Sequence, residues 1–162
     1  MLTNYTDIKE WLDRMNIENY TINESGTVTV VGDVDISENQ LSEIPVQFRI
    51  TYGDFNCSYN SLKSLNGSPR EVGGNFNCSW NRLKALNGSP QEVGGEFHCS
   101  GNYLKSLEGS PREVGGDFEG SHNDLITLDG SPHEVGGNFY FWGNRFKAIP
   151  KCDTIINGEI FW

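Results

Sequence analysis

The sequence predicts a mainly β solenoid of about six 21-residue coils, stacked so that each adds one strand to a parallel, concave sheet, with a cap at either end. Two observations carry this. Asn39, Asn60, Asn81, Asn102, Asn123 and Asn144 each follow the last by 21 residues, with no insertion or deletion. The 19 glycines and six prolines, which would suggest disorder if scattered, sit mostly at fixed phases of this repeat and read as turn chemistry. The 162 residues form one domain, with an N-terminal cap over 1–32, repeats over 33–150 and a C-terminal cap over 151–162.

In chain order, Ile8, Trp11, Leu12 and Met15 fall at helical spacing. They predict a short amphipathic helix over 7–15 with Asp7 as N-cap and Glu10 three residues on. Tyr20–Asn23 and Thr27–Val31 alternate around Glu24-Ser25-Gly26, a glycine-containing turn that suits a hairpin. A divergent first repeat follows, Val34-Asp35-Ile36-Ser37-Glu38-Asn39-Gln40-Leu41, then four well-matched coils and an altered last one that keeps Phe139, Asn144, Phe146 and Ile149. Asn157-Gly158 between apolar runs predicts a C-terminal hairpin, with Phe161 and Trp162 covering the last coil.

The repeat reads Phe-x-Cys-Ser-x-Asn-x-Leu-x-x-Leu-x-Gly-Ser-Pro-x-x-Val-Gly-Gly-x. Strand alternation turns the Phe and Cys positions inward, and Leu62, Leu83, Leu104, Leu125, Phe146 and Val72, Val93, Val114, Val135 complete the core. In the cysteine column Gly120 is followed by Phe141, so the small residue makes room for the large one. An inward Asn where the chain leaves the strand is expected to bond backbone groups that the bend leaves unpaired. The Gly-Ser-Pro and Gly-Gly phases are expected to set turns on the convex side. Cys57, Cys78 and Cys99 share one phase and Cys152 lies outside it; without a CxxC pair or His and Asp company they read as reduced, structural thiols, and no metal or other cofactor is assigned.

Four outward columns remain on the concave face. The first is Asp33, Asp54, Asn75, Glu96, Asp117, Asn138 and the second Asp35, Asn56, Asn77, His98, Glu119, Tyr140. The third is Ser37, Ser58, Ser79, Ser100, Ser121, Trp142 and the fourth Glu38, Tyr59, Trp80, Gly101, His122, Gly143. Carboxylates stacked at strand spacing repel by about 1 kcal/mol in water, so an acidic face of this kind costs stability. Tyr59, Trp80, Tyr140 and Trp142 among hydrogen-bonding groups are the composition of a protein-binding hot spot. Elsewhere, Lys63, Lys84, Lys105 and Lys147 share one phase, and Glu71, Glu92, Glu113 and Glu134 adjoin Arg70 and Arg112; both read as solvated edges.

A net charge of −10 argues against direct binding to nucleic acid or an anionic membrane and suits a basic partner. No apolar run has the length of a membrane span, and Asp7, Glu10 and Asp13 do not fit a signal peptide, so a cytoplasmic location is expected. Catalysis would draw on His98, His122, Glu96, Glu119 and the serines, but an open sheet excludes little water and a serine in every coil reads as a spacer. No catalytic residue is assigned.

The strand segment has the pattern Leu-x-Leu-x-x-Asn-x-Leu with Phe and Cys in the first two apolar places, and so resembles leucine-rich repeats. The Leu-x-x-Leu spacing followed by Pro and Val is similar to the short coils of bacterial effector proteins. Asn19-Tyr-Thr-Ile-Asn23, Gly32-Asp-Val34 and the Gly-Ser-Pro…Val-Gly-Gly coils are similar to small leucine-rich-repeat proteins encoded by tailed bacteriophages. The resemblance implies no established activity. The acidic, aromatic concave face predicts a non-enzymatic binding module that docks on a basic protein and blocks or redirects it, and the bacteriophage resemblance implies that this partner is a host bacterial defence or regulatory protein. A nucleotide sponge built on Trp80, Tyr140 and Trp142, or a structural phage component, are the alternatives.

Overall fold

A computed structural model describes all residues, Met1–Trp162. The chain opens with α1 (Tyr5–Arg14), β1 (Tyr20–Ile22) and β2 (Thr27–Val30), followed by β3 (Val34–Asp35) and β4 (Gln47–Thr51). Alternating two-residue strands then mark each coil: β5 (Phe55–Asn56), β6 (Glu71–Val72), β7 (Phe76–Asn77), β8 (Glu92–Val93), β9 (Phe97–His98) and β10 (Glu113–Val114). The series ends with β11 (Phe118–Glu119), β12 (Glu134–Val135), β13 (Phe139–Tyr140), β14 (Ile155–Ile156) and β15 (Ile160–Phe161). The result is a β-solenoid with two parallel sheets, not one. The front sheet holds the odd-numbered strands β3 to β15, and the back sheet the even-numbered strands β2 to β14 with β1 added antiparallel at its edge.

The back sheet is the main departure from expectation. The Glu-Val dipeptide between Gly-Ser-Pro and Gly-Gly is a ladder strand, with Glu71, Glu92, Glu113 and Glu134 in register, not part of one long turn. Its tightness explains the glycines: a Cβ on Gly94 would collide with the carbonyl of Gly73 in the coil before.

Between the sheets the Phe column stacks. Ring centroids lie 5.6 Å apart for Phe55 and Phe76 and 5.4 Å for Phe76 and Phe97, with the planes within 10°. Phe118 meets Phe139 edge-on at 4.9 Å. Cys57, Cys78, Cys99 and the leucine and valine columns are buried with them. The paired change in the cysteine column is as expected, since a Cβ on Gly120 would lie 2.8 Å from Phe141 Cε1. Ile149 differs: it stands at the phase of the buried Leu65, Leu86, Leu107 and Leu128, but is 80% exposed.

The asparagine ladder crosslinks successive coils. Asn102 Nδ2 donates to the carbonyls of Cys78 and Cys99, each at 3.1 Å, while its Oδ1 accepts from Leu83 N at 3.0 Å. Asn81 and Asn123 repeat the pattern, so each amide bonds its own bend and the coil before, and the Cys78 and Cys99 carbonyls each accept from two amides.

The caps are specific to their ends. The helix begins two residues earlier than expected because Asn4, not Asp7, is the N-cap: Asn4 Oδ1 accepts from Asp7 N at 2.9 Å and Asn4 Nδ2 donates to the Asp7 carboxylate. It buries Ile8, Trp11 and Leu12. The β1–β2 hairpin forms as expected, and β2 also pairs parallel with β4, so the back sheet starts inside the hairpin. At the other end Asn157-Gly158 does lie between two strands, but they do not pair with each other. β14 continues the back sheet beside β12 and β15 the front sheet beside β13, at the same interval of 21 residues. Asn157-Gly158 thus occupies the Gly-Gly phase of a partial further coil. Phe161 stacks on Tyr140 and Trp162 on Phe141, closing the core as expected. No helix is long and apolar enough to cross a membrane.

Candidate functional site

Four columns were expected to point outward from the front sheet, and their exposure and bonding differ sharply. The first is largely a scaffold ladder. Asp33 Oδ1 accepts from Asp54 N at 2.8 Å, Asp54 Oδ1 from Asn75 N at 2.7 Å, Asn75 Oδ1 from Glu96 N at 2.7 Å and Asp117 Oδ1 from Asn138 N at 2.6 Å. A short Asp or Asn side chain reaches the next coil's amide; the longer Glu96 does not, and turns to His98 Nε2 at 2.9 Å. One oxygen of each of these aspartates is therefore engaged in holding the stack, which offsets the repulsion expected of a bare acidic column.

The second column closes local turns. Asp35, Asn56, Asn77 and Glu119 each accept from the backbone N–H two residues on, at Ser37, Ser58, Ser79 and Ser121. His98 instead faces Glu96, and the Tyr140 hydroxyl accepts from Asn138 Nδ2 at 3.0 Å. The third column, expected to be exposed, is not: Ser58, Ser79 and Ser121 are buried because the strand lasts only two residues before the chain bends. Trp142 breaks the series and is 54% exposed.

The fourth column carries the least expected feature. Glu38, Tyr59, Trp80 and His122 are all left-handed, with φ between 53° and 56°, and Gly101 and Gly143 occupy the same place at 68° and 69°. These are bend residues, not strand residues. A left-handed backbone costs a side-chain-bearing L-residue about 1–2 kcal/mol and a glycine almost nothing. Yet Tyr59 and Trp80 stand here with half their surface in solvent, ring centroids 6.0 Å apart and planes within 13°. The Trp80 indole extends over Gly101, where an added Cβ would lie 2.6 Å from the ring. His122 overlies Gly143 in the same way. The two glycines of this phase were the sequence signal for the bend.

For acid–base or nucleophilic chemistry, the Glu96–His98 pair is the closest dyad. The Ser100 hydroxyl is aimed elsewhere, at Glu119 Oε1 at 3.1 Å. Burial pushes the thiols up: Cys57 to about 12, Cys78 well above the usual range with its cysteine neighbours adding to the effect, and Cys99 likewise upward with Glu119 contributing. All four cysteines are free, and no group of three or more metal-ligating side chains gathers around a common point.

Two other surfaces compete with the front face. The in-register glutamates of the back sheet line a shallow groove of about 650 Å³ floored by Gly73, Gly94 and Gly115. Only Glu113 has a cationic neighbour, Arg112 at 3.4 Å. Lys63, Lys84, Lys105 and Lys147 are exposed as expected, with Tyr103 between two of them and Asp124 paired to Arg145 at 2.7 Å. Neither surface combines exposed stacked aromatics with acceptors, as the front face does. Comparison with protein-family models, curated proteins and solved structures returns no match to this chain, so the reading of the site rests on its own geometry.

Proposed function

We propose that this solenoid is a non-catalytic binding module that captures a basic protein partner on its front face, with Tyr59 and Trp80 as the anchor. One observation carries the reading: two large aromatic side chains are held in solvent at a backbone position where glycine would fit without cost. Half-burial and stacking of the rings do no more than offset that strain in the free protein, and residues held in this way cluster at binding sites. A stacked, half-exposed Tyr and Trp are preorganised, so little side-chain entropy is lost on docking. Around them Glu38, Asp35, Asp54, Glu96 and Glu119 supply negative charge, and a net charge of −10 steers a cationic surface inward.

The resemblance to bacteriophage leucine-rich-repeat proteins extends the proposal. On that analogy the partner is a host bacterial defence or regulatory protein, and docking in the cytoplasm inhibits or redirects it. The acidic side chains disfavour an anionic ligand such as a nucleotide.

The test is affinity capture from bacterial lysate with the wild type and with the Tyr59→Ala/Trp80→Ala double variant, each at low and high salt. The proposal expects a defined partner, weaker at high salt and lost with the double variant while the fold persists. Retention by the double variant overturns it.

A further inference from the structure

At the C-terminal end of the front face, a second site departs from the repeat. Five successive coils place serine at one phase, Ser37, Ser58, Ser79, Ser100 and Ser121, and the sixth places Trp142. Serine already satisfies that phase structurally, so the scaffold does not explain an indole 54% exposed to solvent. The same coil carries Tyr140 where earlier coils carry Asp, Asn, His or Glu. Its ring is fixed from behind by Phe161, with centroids 4.9 Å apart and planes within 13°. Trp142 is anchored through its backbone N–H, which donates to Ser121 Oγ at 3.1 Å.

Trp142, Tyr140 and His122 line a groove of about 410 Å³ together with Glu119, Ser100 and Ser121. Glu119 is half-buried there. Its Oε1 accepts from Ser121 N at 3.2 Å and from Ser100 Oγ at 3.1 Å, which fixes the carboxylate. Its Oε2 accepts no hydrogen bond within the protein, and no lysine or arginine pairs with it. A positioned carboxylate without a counter-ion, beside two aromatic rings, favours an organic cation: ring quadrupoles and carboxylate charge attract it together, whereas a neutral ligand of the same shape gains only contact area.

We infer that this groove is a binding site for an alkylammonium group, carried either by a lysine side chain, methylated or not, or by a free quaternary amine. The inference deepens the proposal of a basic partner and rests on it for its biological meaning, but the ammonium site is testable without any partner.

The probes are choline and its neutral carbon isostere 3,3-dimethylbutan-1-ol at millimolar concentrations, followed by the indole N–H resonances of the four tryptophans and, so that Trp142→Ala can be read, by the backbone N–H resonances of Ser121 and His122 in the groove. Choline is expected to shift the Trp142 signal and to bind at least about fivefold more tightly than the alcohol. Glu119→Gln, which keeps an acceptor for Ser121 N and Ser100 Oγ, should weaken choline by a similar factor with the alcohol unchanged, and Trp142→Ala should abolish the response. Competition by Nα-acetyl-lysine methylamide or its trimethylated form assigns the cation to a protein side chain; choline binding without such competition assigns it to a free amine. Equal binding of choline and the alcohol, or choline binding that survives Trp142→Ala, overturns the inference. The Tyr59→Ala/Trp80→Ala variant should bind choline normally, so failure of the anchor proposal and failure of this one are separately visible.

Discussion

Replacing Trp80 by glycine and, separately, by alanine should invert the usual order of these substitutions. Both variants lose the same indole, which is 49% exposed and stacked on Tyr59, at a cost of about 1–2 kcal/mol. They differ only in backbone preference. In a regular element glycine is less stable than alanine by about 0.5–1 kcal/mol, but at a φ of 56° alanine carries a left-handed cost of about 1–2 kcal/mol that glycine avoids. Trp80→Gly should therefore be more stable than Trp80→Ala by about 1 kcal/mol, equivalent to about 2–4 °C in Tm for a chain of this size. Asn77, three residues earlier in β7, is the internal control, and there alanine should exceed glycine. Urea and thermal unfolding of the four variants measure both orders. If Trp80→Ala is as stable as Trp80→Gly, the aromatics are not held at a backbone cost and the argument from strain to binding fails.

Four further outcomes test the scaffold. Asn102→Leu orphans the buried Leu83 N–H and leaves the Cys78 and Cys99 carbonyls with one amide donor each, from Asn81 and Asn123, so it should cost about 1–3 kcal/mol in urea unfolding; an effect under about 0.5 kcal/mol would mean the ladder is dispensable. Gly120→Ala places a methyl against Phe141 and should destabilise by about 1–3 kcal/mol, with partial rescue by Phe141→Leu, and lack of rescue would mean the paired volumes are independent. The buried thiols are held protonated, so a thiol reagent at pH 8 should label Cys152 alone in the native protein and all four cysteines after unfolding. Their raised pKa also fixes a pH dependence. Stability is complete below the unfolded thiol value near 9.0 and falls as pH rises above it, because only the unfolded chain can ionise. Three such thiols lose about 4 kcal/mol together by pH 10, and Cys57→Ala should flatten that slope by about a third.

Much of the scaffold was legible because a period of 21 residues overdetermines it. The inward Phe and Cys, the leucine and valine columns, the asparagine ladder and the Gly120–Phe141 exchange each repeat or compensate at a fixed phase. The back sheet was not legible, because Glu71-Val72 and its repeats are two-residue strands between turn signals and show no alternation to read. The C-terminal strands misled for a related reason: Asn157-Gly158 has the chemistry of a hairpin turn, but it stands at the Gly-Gly phase, and the stack's register decides the pairing. The candidate site was half legible. Sequence placed the aromatics on the face but took Asp33, Asp54 and Asp117 as free charges, whereas only side-chain length distinguishes them, as amide acceptors, from Glu96. The left-handed bend was written in Gly101 and Gly143 sharing a column with Tyr59 and Trp80, and the Trp142 groove in the single break of the serine series.

The central claim is that the front-face aromatics, and neither the lysine edge nor the back-sheet glutamates, are what a partner reads. The most direct measurement is parallel capture from lysate with three proteins, each shown to be folded at the capture temperature: wild type, Tyr59→Ala/Trp80→Ala, and Lys63→Glu/Lys84→Glu/Lys105→Glu, with the captured proteins identified by mass spectrometry. The account predicts one partner shared by the wild type and the lysine variant and missing from the aromatic variant. Capture by the aromatic variant, with loss in the lysine variant, would contradict it.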